Sequence, residues 1–232
     1  QLATRTSLST TTITNLINEM LAQGLVVEEG ELLSGEKRSV GRPRTALRLV
    51  PEARYAVGVH IGIGLFRVGL TDLYAQLQHS KIKEFSIAEP PENVLEAIGR
   101  TINELLENSA VPRQRVLGVG VGASGLVDYQ HGLNVLAPNL GWRNLPIRTM
   151  VSRQVNLPVA VDNNVRCMAL GEAFFGAGRQ VDSLAFVYGR IGVGAGFVFN
   201  GQVFRGAAAG AGEIGHMLMQ LDQGEICRCG QR

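Results

Sequence analysis

The chain has 232 residues, of which 45% are hydrophobic and 18% are charged, and its formal net charge is +2. This apolar fraction is enough for a folded core, so the composition excludes an intrinsically disordered chain. The balance of 22 basic and 20 acidic side chains excludes a uniformly basic nucleic-acid coat, although a local basic patch is compatible with it. Three cysteines and no apolar run near the ~18 residues that span a bilayer predict a cytoplasmic protein without a disulfide framework or a membrane segment.

Residues 1–50 predict a separate N-terminal unit that opens with a helix. Ser9 is a preferred N-cap residue, and apolar side chains then recur at helical spacing until Gly24, which is suited to end the helix. That apolar stripe consists of Ile13, Leu16, Ile17, Met20 and Leu21. After the helix, two short strands are predicted at residues 25–29 and 45–50.

A basic loop joins these two predicted strands. The stretch from Lys37 to Arg48, both included, has five basic residues and no acidic residue, and it contains Gly41-Arg42-Pro43-Arg44. A helix followed by a hairpin predicts a winged helix, in which Arg42 and Arg44 contact the minor groove or the DNA backbone. The predicted major-groove contacts are Thr11, Thr12 and Asn15, and Ser9 is a further predicted DNA-binding residue. A surface helix beside a solvated charged loop explains the same residues, so the spacing alone leaves both interpretations open.

Two further segments, residues 54–160 and 161–232, predict two α/β lobes with a cleft between them. The first has strand candidates at 55–60, 66–71, 76–85, 116–121 and 158–161, and an amphipathic helix after Pro90-Pro91. The second has a helix at 165–175, strands at 184–188, 197–199 and 202–204, and a glycine turn at 192–196. Strands followed by helices, twice over, predict the α/β class.

One imidazole and two thiols follow each other closely near the end of the sequence. His216 ends the motif Gly212-Glu213-Ile214-Gly215-His216, and Cys227 and Cys229 follow within fourteen residues. These ligand types suit tetrahedral zinc. A core histidine near a chance Cys-x-Cys is the alternative, and the polar, glycine-flanked setting of both cysteines favours the metal.

Asp162-Asn163-Asn164 stands where a predicted strand ends and a predicted helix begins. Proteins of the α/β class bind polar ligands at such junctions, and these side chains can donate and accept hydrogen bonds to sugar hydroxyls. Capping of the helix by Asn163 or Asn164 explains them equally well on local grounds. The glycine-rich turns at 60–64 and 192–196 could cradle phosphates, but neither contains Thr, Ser or Lys, and tight hairpins are favoured.

Taken together, these motifs resemble the ROK family of repressors, open reading frames and sugar kinases. The resemblance rests on Glu-Ile-Gly-His with Cys-x-Cys-Gly, supported in order by residues 136–142, 162–164 and 171–178. It implies an actin-like (ribonuclease H-like) two-lobed α/β ligand-binding region preceded by a partial winged helix-turn-helix that lacks its first helix. It further implies sugar-binding positions at Asn139, Asn163, Asn164, Glu213 and His216.

The resemblance also implies a structural zinc ion held by His216, Cys227 and Cys229. A third family cysteine follows two to five residues after the position of Cys229, and residues 230–232 contain none. We therefore expect zinc to be weakly held or absent in this chain.

Three departures from the family kinases separate the sequence from the enzyme branch. Residues 60–64 stand where those kinases carry Asp-x-Gly-Gly-Thr, Asn164 stands at their catalytic Asp, and residues 190–192 replace Gly-Thr-Gly. Phosphoryl transfer depends on such positions, and a neutral amide cannot act as a general base. The resemblance thus implies a sugar-responsive transcriptional repressor without enzymatic activity, acting as a homodimer or larger oligomer on operator DNA. The alternatives are an ATP-dependent sugar kinase and a repressor controlled by a partner protein.

Overall fold

The structure is a computed structural model that describes residues 2–31, 45–220, 223–227 and 229–230. Its contacts divide the chain into two compact units, Gln1–Arg54 and Tyr55–Arg232. Within the described residues, no helix has the length and apolar character needed to cross a membrane.

The first unit consists of two helices and an antiparallel hairpin. Its elements are α1 (Leu2–Thr6), α2 (Thr10–Ala22), β1 (Val26–Glu31) and β2 (Thr45–Leu49). Ser9 confirms its predicted role as the N-cap of α2, because its Oγ accepts a hydrogen bond from the Thr12 amide at 3.1 Å. Gly24 follows the helix with a left-handed φ of +67°, which costs glycine little. Arg42 and Arg44 lie outside the described residues.

The second unit contains eleven strands and three α-helices among its described residues. In chain order they are β3 (Tyr55–Ile61), β4 (Leu65–Asp72), β5 (Leu77–Glu84), α3 (Pro91–Asn108), β6 (Val116–Ala123), β7 (Leu126–Asp128), β8 (Leu133–Ala137), β9 (Trp142–Leu145), α4 (Ile147–Val155), β10 (Val159–Asn163), α5 (Asn164–Phe175), β11 (Ser183–Gly189), β12 (Val193–Phe199) and β13 (Gln202–Phe204). This composition confirms the predicted α/β class.

A five-stranded mixed sheet forms the centre of this unit. Its strand order is β10-β6-β3-β4-β5, with β10, β6 and β3 parallel and the other pairs antiparallel. Helix α3 packs against α4 and against this sheet. Its predicted apolar stripe is buried and consists of Val94, Leu95, Ile98, Ile102, Leu105 and Leu106. Full burial of each large apolar side chain stabilises the folded state by roughly 1.5–3 kcal/mol. The packing of α3 therefore stabilises the sheet whose edge is described below.

Two smaller sheets complete the unit, with strand orders β7-β8-β9 and β11-β12-β13. The predicted glycine turn at 192–196 is wrong, since β12 begins at Val193 and includes Gly194 and Gly196. A Cβ on Gly196 would lie 2.5 Å from the Cβ of Ala169 in α5. These glycines therefore let a helix approach a strand closely instead of reversing the chain. The predicted boundary between the lobes, at 160/161, falls inside β10.

Candidate ligand site at the carboxyl edge of the central sheet

Three parallel strands end side by side at one edge of the central sheet. In their register, His60 of β3 and Asp162 of β10 both align with Gly122 of β6. The carboxyl edge of parallel strands is where α/β proteins bind ligands. The topology thus brings together two segments that are about one hundred residues apart in the sequence.

Asn163 joins this edge to the start of α5. Its Oδ1 accepts hydrogen bonds from the amides of Val165 and Arg166 at 2.9 and 3.1 Å, so the side chain caps the helix. Its Nδ2 donates to the carbonyl of Gly125 at 2.9 Å and so ties the loop after β6 to the helix. The structure therefore shows that Asn163 caps the helix, which is one of the two roles that the sequence left open. One of its two amide hydrogens is used in the hydrogen bond to Gly125.

Asn164 lies beside His60 and Ser124. Its Nδ2 donates to Ser124 Oγ at 3.2 Å and lies 3.5 Å from His60 Nε2, and Ser124 Oγ donates to the Ile61 carbonyl at 3.1 Å. Burial, with a smaller contribution from the charge of Arg67, lowers the pKa of His60. A lowered pKa keeps the imidazole neutral at pH 7, so this cluster offers hydrogen-bonding groups without a charge.

Glu213 and His216 share one tight turn that packs against β12. The turn is a 3-10 helix over Ile214–His216, and the His216 amide donates to the Glu213 carbonyl at 3.0 Å. Just before it, Gly212 adopts a φ of +97° and accepts a hydrogen bond from the Ala195 amide at 2.7 Å. A Cβ on Gly212 would overlap the carbonyl oxygen of Ala195, so only glycine allows this approach.

The turn and the start of α5 are neighbours through Gly194 of β12. A Cβ on Gly194 would lie 3.3 Å from Val165 Cγ2 and 3.9 Å from the Gly212 carbonyl oxygen. Both halves of the predicted sugar site, Asn163-Asn164 and Glu213, therefore border the same short stretch of strand. Asn139 lies in the turn between β8 and β9 and is half-buried.

The predicted metal ligands also come together. The ligand atoms of His216, Cys227 and Cys229 all lie within 4.8 Å of one another. Nδ1 of His216 lies 3.6 Å from Cys227 Sγ. Two ligands of a tetrahedral zinc ion, at about 2.1 Å for nitrogen and about 2.3 Å for sulfur, are separated by about 3.6 Å. The separation of His216 Nδ1 from Cys227 Sγ thus matches that of two zinc ligands, and Nε2 is left as the other ring nitrogen of His216.

Two residues at this edge were not selected from the sequence. Ser124 is the polar member of the glycine-rich loop after β6, and it bonds Asn164. Arg166 is the one charged residue in the first half of α5, and it is only 2% exposed. A charged side chain among the apolar residues of this helix was the available signal, since such a group needs partners when it is buried.

Comparison with known proteins identifies the family to which this chain is similar. A model of the ROK family matches residues 56–232. The xylose repressor of Caldicellulosiruptor bescii is 32% identical over 223 residues, which cover 96% of this chain and 55% of the relative. The chain therefore spans about half the length of the curated relatives that it matches.

Two solved structures resemble the chain closely. A ROK family transcriptional regulator, described as a homolog of the E. coli MLC protein, matches 99% of this chain and 57% of its own, with a TM-score of 0.80 and 26% identity. A ROK family glucokinase from Streptomyces griseus, in complex with glucose and AMPPNP, matches 77% of this chain and 55% of its own, with a TM-score of 0.69 and 29% identity. With a family match over nearly the whole second unit and a regulator whose match covers 99% of the chain, this chain belongs to the ROK family and has the ROK fold.

Proposed function

We propose that this chain acts as a sugar-responsive transcriptional repressor. It binds operator DNA through a winged helix in residues 1–50 and a carbohydrate effector between lobes at 54–160 and 161–232. The observation that carries the proposal is the setting of Asn164, whose amide bonds Ser124 and lies beside the neutral His60. Such a site can hydrogen-bond sugar hydroxyls but offers no carboxylate at this position to accept a proton. The similarity to a xylose repressor supports a pentose as the effector.

The proposed effector contacts come from both sides of Gly194. One side offers amides, which both donate and accept, and the other offers the Glu213 carboxylate, which accepts from two hydroxyl groups. The proposed sugar-binding residues are Asn139, Asn163, Asn164, Glu213 and His216. Zinc, when bound by His216, Cys227 and Cys229, would hold the turn that carries Glu213 in place. In that arrangement His216 Nε2 remains able to donate to a hydroxyl.

The test measures DNA binding with and without sugar. An operator duplex is selected in vitro from random DNA, and its affinity is followed by fluorescence anisotropy while D-xylose or D-glucose is added. We expect one of these sugars to change the DNA affinity at least about tenfold, which is within the usual range of allosteric coupling. The Asn164→Ala variant should bind the duplex normally and lose the response. If neither sugar changes the affinity, the partner-controlled repressor replaces this proposal.

Removing the two arginines of the basic loop should weaken DNA binding without changing its sequence preference. In the proposed winged helix, Arg42 and Arg44 neutralise phosphates or enter the minor groove. The double variant Arg42→Ala/Arg44→Ala should therefore lower the slope of log affinity against log salt by roughly one to two units. The matched control is Lys81→Ala/Lys83→Ala, which removes the same charge from β5. An unchanged slope in the arginine variant would contradict the assignment of the wing.

A dimer is part of the same proposal. Two copies would place their winged helices on half-sites one or two helical turns apart, so the selected operator should be a palindrome with that spacing. An asymmetric selected site would contradict a symmetric dimer on DNA.

A sugar kinase is the second candidate, and the similarity to a glucokinase favours it. We expect no ATP-dependent phosphorylation of glucose, xylose or amino sugars above background, because residues 60–64 lack the Asp and Thr of the kinase loop and Asn164 cannot act as a base. The Asn164→Asp variant alone should not restore activity, because the loop remains unchanged. Turnover by the unmodified protein, measured by coupled ADP release, would overturn the repressor proposal.

A further inference from the structure

A buried arginine next to the proposed sugar-binding residues in the sequence joins three separate segments. Arg166, in the first turn of α5, is 2% exposed. Its Nη1 donates to the Ala209 carbonyl at 2.8 Å, and its Nη2 donates to the Val127 carbonyl at 3.2 Å. Its Nε lies 2.9 Å from Asp162 Oδ1. This contact is an ion pair, although its geometry is not that of a hydrogen bond. A buried guanidinium is stable only with such partners, so the three segments are held together.

Asp162 places its carboxylate between two guanidinium groups. On the side away from Arg166, its Oδ2 accepts from Arg205 Nε at 2.9 Å and lies 2.9 Å from Arg205 Nη2. The Arg205 guanidinium also lies over the ring of Tyr129, 4.1 Å from the ring centroid, where a cation is attracted by the π face. We call Asp162, Arg166 and Arg205 the arginine clamp.

The loop that the clamp contacts has few side-chain interactions of its own. Residues 206–212 read Gly-Ala-Ala-Ala-Gly-Ala-Gly, so none of their side chains is larger than a methyl group. Together with Arg205 and Tyr129, residues 206–209 line a cavity of about 690 Å³, so the loop is not packed on that side. Its described attachments near the clamp are the bond from Arg166 to Ala209 and the bond from the Ala211 amide to the Arg205 carbonyl at 3.2 Å.

The clamp residues adjoin both halves of the proposed site in the sequence. Asp162 directly precedes Asn163 and Asn164, and the loop that starts at Arg205 ends at Gly212, directly before Glu213. A shift of the loop relative to α5 therefore changes the separation of Glu213 from the two amides. The ion pairs of Asp162 with Arg166 and Arg205 join the start of α5 to the start of this loop.

We propose that Asp162, Arg166 and Arg205 are positioning residues for effector binding, which fix the loop 205–212 and so place Glu213 opposite Asn163 and Asn164. The inference rests on the proposed function of this site as a sugar pocket. Because the loop is held by the clamp and not by its own side chains, loosening the clamp lowers the fraction of molecules that are competent to bind. If that fraction falls to a tenth, the apparent Kd rises about tenfold.

The experiment compares Arg166→Lys and Asp162→Asn with the unmodified protein. Lysine keeps the charge but cannot reach two carbonyls and a carboxylate at once, and asparagine keeps the shape but removes the charge. Amide hydrogen exchange is measured without sugar, and D-xylose and D-glucose affinities are measured by calorimetry. We expect exchange over residues 206–213 to rise about tenfold, sugar affinity to fall about tenfold, and operator affinity without sugar to stay within twofold.

The matched control is Arg113→Lys, which alters an arginine that donates to the Val155 carbonyl away from this edge. It should leave exchange at 206–213 and sugar affinity unchanged. A milder variant, Arg205→Lys, keeps an ion pair with Asp162 but loses the planar contact with Tyr129, and it should give an intermediate effect even if the other two variants fold poorly.

The outcomes separate this inference from the proposed function. If the unmodified protein binds neither sugar, the proposed function fails, and the exchange data still decide whether the clamp holds the loop. Unchanged exchange over 206–213 in both clamp variants overturns the inference, whatever the sugar affinity. Equal acceleration in the central strands β3 and β6 also overturns it, since the clamp would then act on global stability and not on the loop.

Discussion

Gly212→Ala is expected to lower the free energy of unfolding of the second unit by about 2–5 kcal/mol, or to detach the turn that carries Glu213. Two costs add at this residue. Its φ of +97° is unfavourable for any residue with a Cβ, and that Cβ would overlap the carbonyl oxygen of Ala195. Relief of the overlap breaks the hydrogen bond from the Ala195 amide to the Gly212 carbonyl. Sugar binding should be lost in either case, because Glu213 moves with the turn.

Urea unfolding and sugar calorimetry measure this effect, with Gly210→Ala as the matched control. A Cβ on Gly210 would meet no atom within 4 Å, and the backbone there has no left-handed φ. Its substitution should therefore change the stability by less than about 0.5 kcal/mol. If both variants are equally stable and bind sugar equally well, the turn does not lie against β12 as described.

In a longer chain that carries the third family cysteine, loss of zinc is expected to weaken sugar binding by roughly 10–100-fold, the usual scale for a disturbed metal shell. His216 directs Nδ1 towards Cys227 at 3.6 Å, so a metal bound there leaves Nε2 as a hydrogen-bond donor. The proposed zinc would also fix the turn that starts at Glu213. Cys227→Ser, or treatment with a chelator, removes both effects together.

Calorimetry with D-xylose and zinc analysis by mass spectrometry test this coupling. The control is Cys167→Ser, which removes a thiol of α5 that is not one of the proposed ligands. The residue is exposed as a whole, but desolvation of its sulfur raises the pKa of the Cys167 thiol to about 11, so it stays protonated and is a poor metal ligand. Equal sugar affinity with and without chelator would mean that His216 serves the metal alone.

The clamp, glycine and zinc predictions concern successive positions in one segment, residues 205–216. The arginine clamp holds residues 205–209, the glycine contact with β12 holds Gly212, and the proposed metal holds His216. Glu213 lies between the last two points. The affinity for a ligand that contacts Glu213 and the amides at the start of α5 would therefore depend on the position of the whole segment. Such a dependence is what allows an effector to shift the equilibrium between two conformations.

The local features of the fold were predictable from the sequence because their causes lie within a few residues. The cap by Ser9 depends on Thr12, three residues away, and the stripe of α3 depends only on helical periodicity. The strands β3, β6 and β10 follow from continuous apolar runs. The motif positions of the proposed site were visible in the same way, since Asp162-Asn163-Asn164 and Glu213-His216 are contiguous or nearly so.

Only the tertiary structure decided the features whose causes lie far away in the sequence. Gly194 and Gly196 look like turn residues, but both lie within a strand, and the close approach of Ala169 in α5 requires glycine at 196. Strands β7, β8 and β9 have three to five residues each, which is too short for a periodic pattern to indicate them. The partners of Arg166 at Val127 and Ala209 lie about 40 residues away on either side. Hydrogen bonds between distant segments form only once the sheet edge has brought those segments together, so no local pattern can encode them.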